Sequence, residues 1–428
     1  MKITVIGAGS NSFGRGIVAD LLSAAGHELG EVELCLVDTA PAALERMKAL
    51  ARRLNDEVGR GLRITGETDR RAALPGSDYV ITAVSVRRMA LWEQDFRVPA
   101  AHGVAHILGE NGGPGAAFHA LRSLHLMIPI CADIEALCPH ALLLNFTNPE
   151  ARVLHAVSHL TGVRAIGLCH GVFTLELLAA RLTGVPPEHL EVTSAGLNHA
   201  YCALSIKDRR DGTEHLSAVL RRVQEDEALE VPPLFREIAR AFEVLSYPSD
   251  DHIGEYFAFG AEFHGGKWPY GIESRPVTGE APTESLIDRY LRGEAPAERL
   301  LAPSGELAVP CIRALGQAEA VRLSAVNVLN HGGLISNLPR FAAVEVPAMV
   351  SRDGVQPLAV GPLPEAFAAA LATQCHITAL VTEAYHTRRR LPLLQALLLD
   401  PCLHSIRAAR ALMDDMLALQ ADYLPPLD

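Results

Sequence analysis

The sequence predicts an α/β protein in which a Rossmann-like parallel sheet is joined to a second, mostly helical α+β lobe. A β-branched run at residues 2–6 leads straight into Gly7-Ala8-Gly9 and then a helical pattern at Ile17, Leu21 and Leu22. Short apolar runs alternate with helical stretches through roughly the first 170 residues, which is how parallel sheets are built. From about residue 200 charged, amphipathic stretches take over. A chain of 428 residues, 49% hydrophobic, can bury more than one core. The expected division is 1–195, a dinucleotide-binding domain, and 196–428, a lobe for substrate, metal and oligomerisation.

Taken in order, strand, glycine turn and helix form a dinucleotide-binding signature. Glycines admit a pyrophosphate to the backbone, and the helix N-terminus offers unpaired N–H groups and a positive dipole end. Gly7 and Gly9 match the spacing, whereas Ser10 and Phe13 follow where the usual third glycine is expected. The run at 32–37 ends in Asp38. A carboxylate there suits a ribose diol and repels a 2′-phosphate, which favours NAD over NADP. Asp38 also suits a helix N-cap before Pro41. A third run, 78–84, is followed by Ser85-Val86-Arg87-Arg88 and a long glycine-rich connection through Gly112-Gly113-Pro114-Gly115. Long loops of this kind at a sheet's carboxyl edge carry function. The run at 141–146 leads to Thr147-Asn148-Pro149-Glu150, a helix is expected at 150–160, and the next strand ends in Cys169-His170-Gly171.

Composition narrows the partners. A net charge of −12 with no basic cluster argues against nucleic acid and anionic membranes, either of which needs grouped Lys and Arg. No apolar run reaches the roughly 18 residues of a membrane span. The eight cysteines are scattered without CxxC pairs, as expected of reduced thiols in a cytoplasmic protein. Cys169, and His199 at the end of Gly196-Leu197-Asn198-His199, are the ligand types a borderline divalent metal prefers. Two strand ends bearing them suit one shared ion.

The order Gly7-Ala8-Gly9-Ser10-x-x-Phe13, Asp38, Gly113-Pro114-Gly115, Asn145-x-Thr147-Asn148-Pro149, Cys169-His170-Gly171 and Gly196-Leu197-Asn198-His199 resembles glycoside hydrolase family 4. Val326-Asn327-Val328-Leu329-Asn330, Ile335-Ser336-Asn337-Leu338-Pro339 and Val344-Glu345-Val346-Pro347 extend the match over nearly the whole chain. The resemblance implies a redox elimination in place of the two-carboxylate scheme. Its steps are oxidation at sugar C3 by NAD⁺, loss of the C2 proton, departure of the aglycone from C1, addition of water and return of the hydride. A divalent metal, typically Mn²⁺, sits on the C2 and C3 oxygens. By position, the resemblance makes Cys169 and His199 the metal ligands, has Gly7, Gly9, Ser10 and Asp38 hold the cofactor, and puts Asn148 on sugar hydroxyls.

The resemblance further implies that His170 stands where the family's residue type varies with substrate. Cys-His goes with unphosphorylated α-glycosides, and Cys-His-Gly is similar to the branch acting on α-linked uronides; α-glucosidase and α-galactosidase are the alternatives. A uronate carboxylate calls for a guanidinium, for which Arg87, Arg88 and Arg275 are candidates, Arg87 first. The base is expected in Tyr247-Pro248-Ser249-Asp250-Asp251-His252. Asp250 is placed ahead of Tyr247 and Asp251, with His252 a further metal or substrate contact and a helix N-cap the plain alternative for the two aspartates. The stretch 200–245 is expected to be helical and 319–339 to form strands about a polar turn. Helices in 364–419 are expected to pack the second lobe and a subunit interface, in a homodimer or homotetramer. Two readings compete: a lactate/malate-type NAD-dependent dehydrogenase, in which Cys169 and His199 have no use, and a non-enzymatic NAD or sugar sensor.

Overall fold

The computed structural model describes residues 1–11, 13–263 and 285–428. Eleven strands among them form one sheet: β1 (Lys2–Ile6), β2 (Glu33–Val37), β3 (Arg63–Glu67), β4 (Tyr79–Thr82), β5 (Leu142–Asn145), β6 (Ala165–Gly167), β7 (Leu190–Leu197), β8 (Ala200–Asp208), β9 (Val321–Leu329), β10 (Ala343–Ser351) and β11 (Gly354–Pro357). The order is β3-β2-β1-β4-β5-β6-β9-β10-β7-β8, with β11 on β10. The first six strands are parallel in the dinucleotide-binding order. From β6 onward every pairing is antiparallel.

Seven of the eleven strands lie on the runs expected as strands; β3, β8, β10 and β11 are additions, and of the strands expected about a turn in 319–339 only β9 lies there, its partner β10 starting beyond it at Ala343. β3, Arg-Ile-Thr-Gly-Glu, lies at the sheet edge and buries only Ile64, so it shows no apolar run. β8 occupies the start of the stretch expected to be helical. Tyr201, Cys202 and Ala203 are buried in succession, so the strand has covered faces and no alternation to reveal it. The helices expected after it are Leu216–Glu225 and Pro233–Phe242. β7 spans residue 195 and pairs with β8 and β10.

One core lies on each face of the parallel sheet, and a third fills the second half around β7, β8 and β10. Helix Glu365–Thr387 joins two of these cores through Phe367 and Leu371 on one side and Ile377 and Val381 on the other. Leu393, Leu397, Leu412 and Met416 pack with Leu121, Leu124 and Val153 of the first half. The expectation that these helices pack the second lobe holds for the start of Glu365–Thr387, whereas the rest of the chain's end covers the dinucleotide-binding half instead. Its apolar stripes follow helical spacing, but spacing does not say which surface a stripe will meet.

Candidate active site

A cavity of about 820 Å³ opens at the carboxyl ends of the parallel strands. Ser10, Phe13 and Arg15 line one part of it. Asn148, Glu150, Cys169, His170, His199, Tyr247 and His252 line another, and Pro303, Ser304 and Glu306 come in from the second half.

The glycine loop is held by its backbone. Gly7 has φ +90°, and the N–H groups of Gly7 and Ala8 both donate to the Val37 carbonyl at 3.0 Å. Gly9 N–H donates to Asp38 Oδ2 at 2.8 Å, and a Cβ on Gly9 would stand 2.6 Å from that oxygen. Asp38 therefore lies against the loop at the end of β2, as a ribose-binding carboxylate must, although it does not line the cavity. The third glycine is Gly14: a Cβ there would meet the Ala8 carbonyl oxygen at 1.9 Å, so only glycine lets helix Phe13–Leu22 approach the loop. Ser10 Oγ accepts from Phe13 N–H at 3.1 Å and meets one unpaired donor of the helix start. Loop, helix N-terminus and cavity together fit a dinucleotide.

Cys169 and His199 come from opposite halves of the chain. A row of strand partners, Gly167, Asn327, Glu345 and Gly196, crosses β6, β9, β10 and β7. Cys169 lies two residues beyond one end of the row and His199 three beyond the other. Their Sγ and Nε2 atoms are 3.5 Å apart. Ligands at about 2.0–2.3 Å from one ion, near the tetrahedral angle, stand about 3.5 Å from each other. His199 takes a left-handed conformation, φ +64°, and its buried Nδ1 has no hydrogen-bond partner among the described residues. Burial keeps its imidazole neutral, the ligating form. Burial and the nearby Glu345 carboxylate push the Cys169 thiol up to about 12, so a cation must supply what makes it a thiolate. Donor types and spacing thus fit a divalent ion, held by two side chains and completed from elsewhere.

Behind this pair, Glu345 Oε2 accepts from Asn198 and Asn327, each at 3.0 Å, and burial raises its pKa to about 7. Asn327 therefore ties β9 to β10 through Glu345. Asn330 likewise closes its turn, bonding Ile335 and Leu338. Glu150 is buried at the cavity wall, where its carboxylate fills the space a side chain at Gly167 would take. Burial raises its pKa well above the usual carboxylate range.

Three aromatic rings border the Cys169–His199 pair. His252 meets the His199 ring edge-on at 4.6 Å, and Tyr247 lies 5.3 Å from His252 and 5.8 Å from His199. Tyr247 stacks on Tyr201, whose hydroxyl donates to the Gly171 carbonyl at 2.8 Å. Its own hydroxyl would stand 3.3 Å from a Cβ on Gly171. Asp251 accepts from His252 Nδ1 at 2.8 Å and orients that ring.

Asp250 is placed differently from expectation. Its two carboxylate oxygens accept from the N–H groups of Leu234 and Phe235, 2.9 Å each, and cap helix Pro233–Phe242 away from the cavity. That helix begins with Pro232-Pro233 and has no cap of its own, so a distant aspartate supplies one, a pairing invisible in local sequence. Arg87 is also displaced. It sits at φ +41° with its guanidinium 3.0 Å from the Tyr423 hydroxyl, outside the cavity. The adjacent Arg88 lines the cavity instead, paired with Glu110 at 2.8 Å and lying over the Trp92 ring. Arg275 falls outside the described residues. Asn148 and Ser10 line the cavity as expected. Glu110, Glu150 and Glu306 were missed: Glu150 could have been suspected from its place after Asn148-Pro149, whereas nothing local marks the other two.

Residues 2–185 match the model of family 4 glycosyl hydrolases, and residues 194–403 match that of the family 4 C-terminal domain. The chain is 28% identical to an alpha-glucosidase from Erwinia rhapontici, over 99% of this chain and 98% of that one. It is 29% identical to an alpha-galactosidase from Bacillus subtilis, over 99% of each. An alpha-galacturonidase from Lachnoclostridium phytofermentans is 26% identical over 99% and 97%. In fold it is similar to the crystal structure of a 6-phospho-alpha-glucosidase from gut microorganisms in complex with NAD and Mn²⁺, at TM-score 0.80 and 20% identity over 100% and 99% of the two chains. With both models matching in order over most of its length, the chain belongs to glycosyl hydrolase family 4.

Proposed function

We propose that this enzyme hydrolyses an unphosphorylated α-glycoside, an α-linked uronide first, with NAD and a divalent metal such as Mn²⁺ as resident cofactors. The observation that carries the reading is the 3.5 Å pairing of Cys169 with His199 in a cavity that also reaches the glycine loop. A lactate/malate-type dehydrogenase, which relays hydride and proton without a metal, has no use for a thiolate–imidazole pair. The NAD and Mn²⁺ bound in the structure of similar fold support the cofactors, and the galacturonidase among the relatives supports the uronide, together with the Cys169-His170-Gly171 sequence.

Bound at these residues, NAD and the metal would supply a hydride acceptor and a Lewis acid for the sugar's C2 and C3 oxygens. Gly7, Gly9, Ser10 and Asp38 hold the dinucleotide, and Cys169 with His199 holds the ion. Tyr247, beside the pair, takes the C2 proton. Burial keeps its phenol protonated in the resting site, raising its pKa, so the cation's field must offset that effect when it acts as a base. His170 meets the glycosidic oxygen and Asn148 the sugar hydroxyls. Arg88, already at the cavity, is the guanidinium for a uronate carboxylate.

The test is release of p-nitrophenol from α-glucoside, α-galactoside, α-glucuronide, α-galacturonide and 6-phospho-α-glucoside, with and without NAD⁺ and Mn²⁺ under reducing conditions. Release that needs both, without net NADH, and fastest from a uronide is the expected result. No release, with NADH formed from a hydroxy acid, would mean a dehydrogenase.

A further inference from the structure

His170 is the exposed neighbour of Cys169, and its ring is held from the other half of the chain. Nδ1 lies 2.9 Å from Glu306 Oε1, and Nε2, on the opposite edge of the ring, is left for a ligand in the cavity. Glu306 sits on a loop that is itself fastened to the dinucleotide helix. Ser304 N–H donates to Asp20 Oδ1 at 2.8 Å, and Ser304 Oγ donates to the other oxygen of the same carboxylate. Arg15 reaches the Leu300 carbonyl at 3.2 Å. Gly16 lets the loop close in, since a Cβ there would stand 2.8 Å from that of Ser304. Within the loop, Glu306 N–H donates to Ser304 Oγ at 2.9 Å, so the clasp on Asp20 sets where the Glu306 carboxylate stands.

We propose that Glu306 is a positioning residue for His170, accepting from Nδ1–H of the doubly protonated ring so that Nε2–H is presented to the glycosidic oxygen. As the C1–O bond breaks, its electron pair stays on the departing oxygen and the Nε2 proton goes to that oxygen. Glu306 stabilises the orientation from which the proton leaves and touches no reacting atom. The same arrangement of a carboxylate behind an imidazole fixes the ring in many acid–base sites, and after the transfer the neutral ring keeps its Nδ1–H on Glu306. This inference rests on the glycosidase reading above.

The test uses the leaving group. p-Nitrophenolate departs without a proton donor, whereas an alkoxide does not, and a general acid contributes about 10²–10⁴-fold. Wild type, Glu306→Ala and Glu306→Gln, each with NAD⁺ and Mn²⁺, are compared on the p-nitrophenyl and methyl α-glycosides of the sugar that responds best. NAD⁺ affinity is measured by calorimetry alongside. Glu306→Ala should lose about 100-fold in kcat/KM on the methyl glycoside and a much smaller factor on the p-nitrophenyl one, at unchanged NAD⁺ affinity. Glu306→Gln, which keeps an acceptor for Nδ1–H, should recover part of the loss. Equal losses on both substrates, or a parallel loss of NAD⁺ affinity, would make Glu306 merely a support of the loop and overturn the proposal. No turnover of either substrate by the wild type would instead remove the glycosidase reading, and this inference with it.

Discussion

Helix Glu150–Leu160 starts at the cavity wall and carries His155 into the core behind it. His155 is 4% exposed, packed edge-on against His159 at 4.4 Å, and neither ring nitrogen has a partner among the described residues. Burial, and secondarily the charge of His159, hold its pKa down at about 3. The unfolded chain takes up a proton near pH 6.5 and the folded chain does not. Its contribution to stability is therefore complete above about pH 6.5 and is lost as pH falls from there towards 3. At pH 5 the loss amounts to about 1.5 units at 1.36 kcal/mol each, or about 2 kcal/mol. His155→Leu removes the ionisable ring and two unmet polar atoms at similar volume. It should stabilise the protein by about 1 kcal/mol or more at pH 7.5 and by about 2 kcal/mol beyond that at pH 5. With an unfolding entropy of about 2.1 cal/mol/K per residue over 428 residues, the gap in Tm between variant and wild type should widen by about 2 °C between the two pH values. Scanning calorimetry at pH 7.5 and 5 reads it, and activity at 25 °C should be unchanged because His155 does not line the cavity. A gap independent of pH would refute the reasoning, since the ring would then titrate alike in the folded and unfolded chains.

Tyr247→Phe should lower kcat by about 10²–10⁴-fold with Tm little changed. Asp250→Ala should instead weaken the cap on helix Pro233–Phe242 by about 0.5–2 kcal/mol and leave most of kcat; steady-state rates and melting curves separate the two, and a collapse of kcat at constant Tm in Asp250→Ala would return the base to Asp250. Gly14→Ala should reduce NAD⁺ affinity at least about tenfold, because its Cβ collides with the Ala8 carbonyl and moves the helix off the loop; unchanged affinity by calorimetry would deny Gly14 that role. Chelation with EDTA followed by Mn²⁺ should restore wild-type release of p-nitrophenol and fail to restore Cys169→Ser, and full recovery in that variant would remove Cys169 as a ligand.

The dinucleotide-binding half was readable because its determinants are local. A β-branched run, two glycines and a carboxylate at the end of the next strand lie within 40 residues, and each element declares its own type. β3 escaped because an edge strand with one buried residue has little to declare, and β8 because covered faces remove the alternation. The same division runs through the site. Ser10, Asn148, Cys169 and His199 sit at strand ends or helix starts, so identifying the strand places the residue. Asp250 and Asp251 adjoin in sequence, yet one caps a helix and the other orients His252 beside the Cys169–His199 pair. Nothing in the pair of aspartates says which is which, because one deciding partner, Leu234, lies 16 residues away in the chain.

The pairing of Cys169 with His199 explains why the chain's two halves share one sheet. Cys169 belongs to the half matched by the first family model and His199 to the half matched by the second. Flexible lobes would not hold two side chains from separate halves 3.5 Å apart. The row Gly167, Asn327, Glu345 and Gly196 does this with backbone pairing, and the Glu345 carboxylate, bound by Asn198 and Asn327, ties its far end to the segment carrying His199. Glycine at both outer positions follows from the same crowding. A Cβ at Gly167 would overlap Glu150, and one at Gly196 would stand 2.3 Å from the Ala200 carbonyl oxygen. The two motifs that read as separate signals in the sequence, Gly167-Leu168-Cys169 and Gly196-Leu197-Asn198-His199, are therefore the two ends of one structural device, in which glycines let the strands close and the residues beyond them meet.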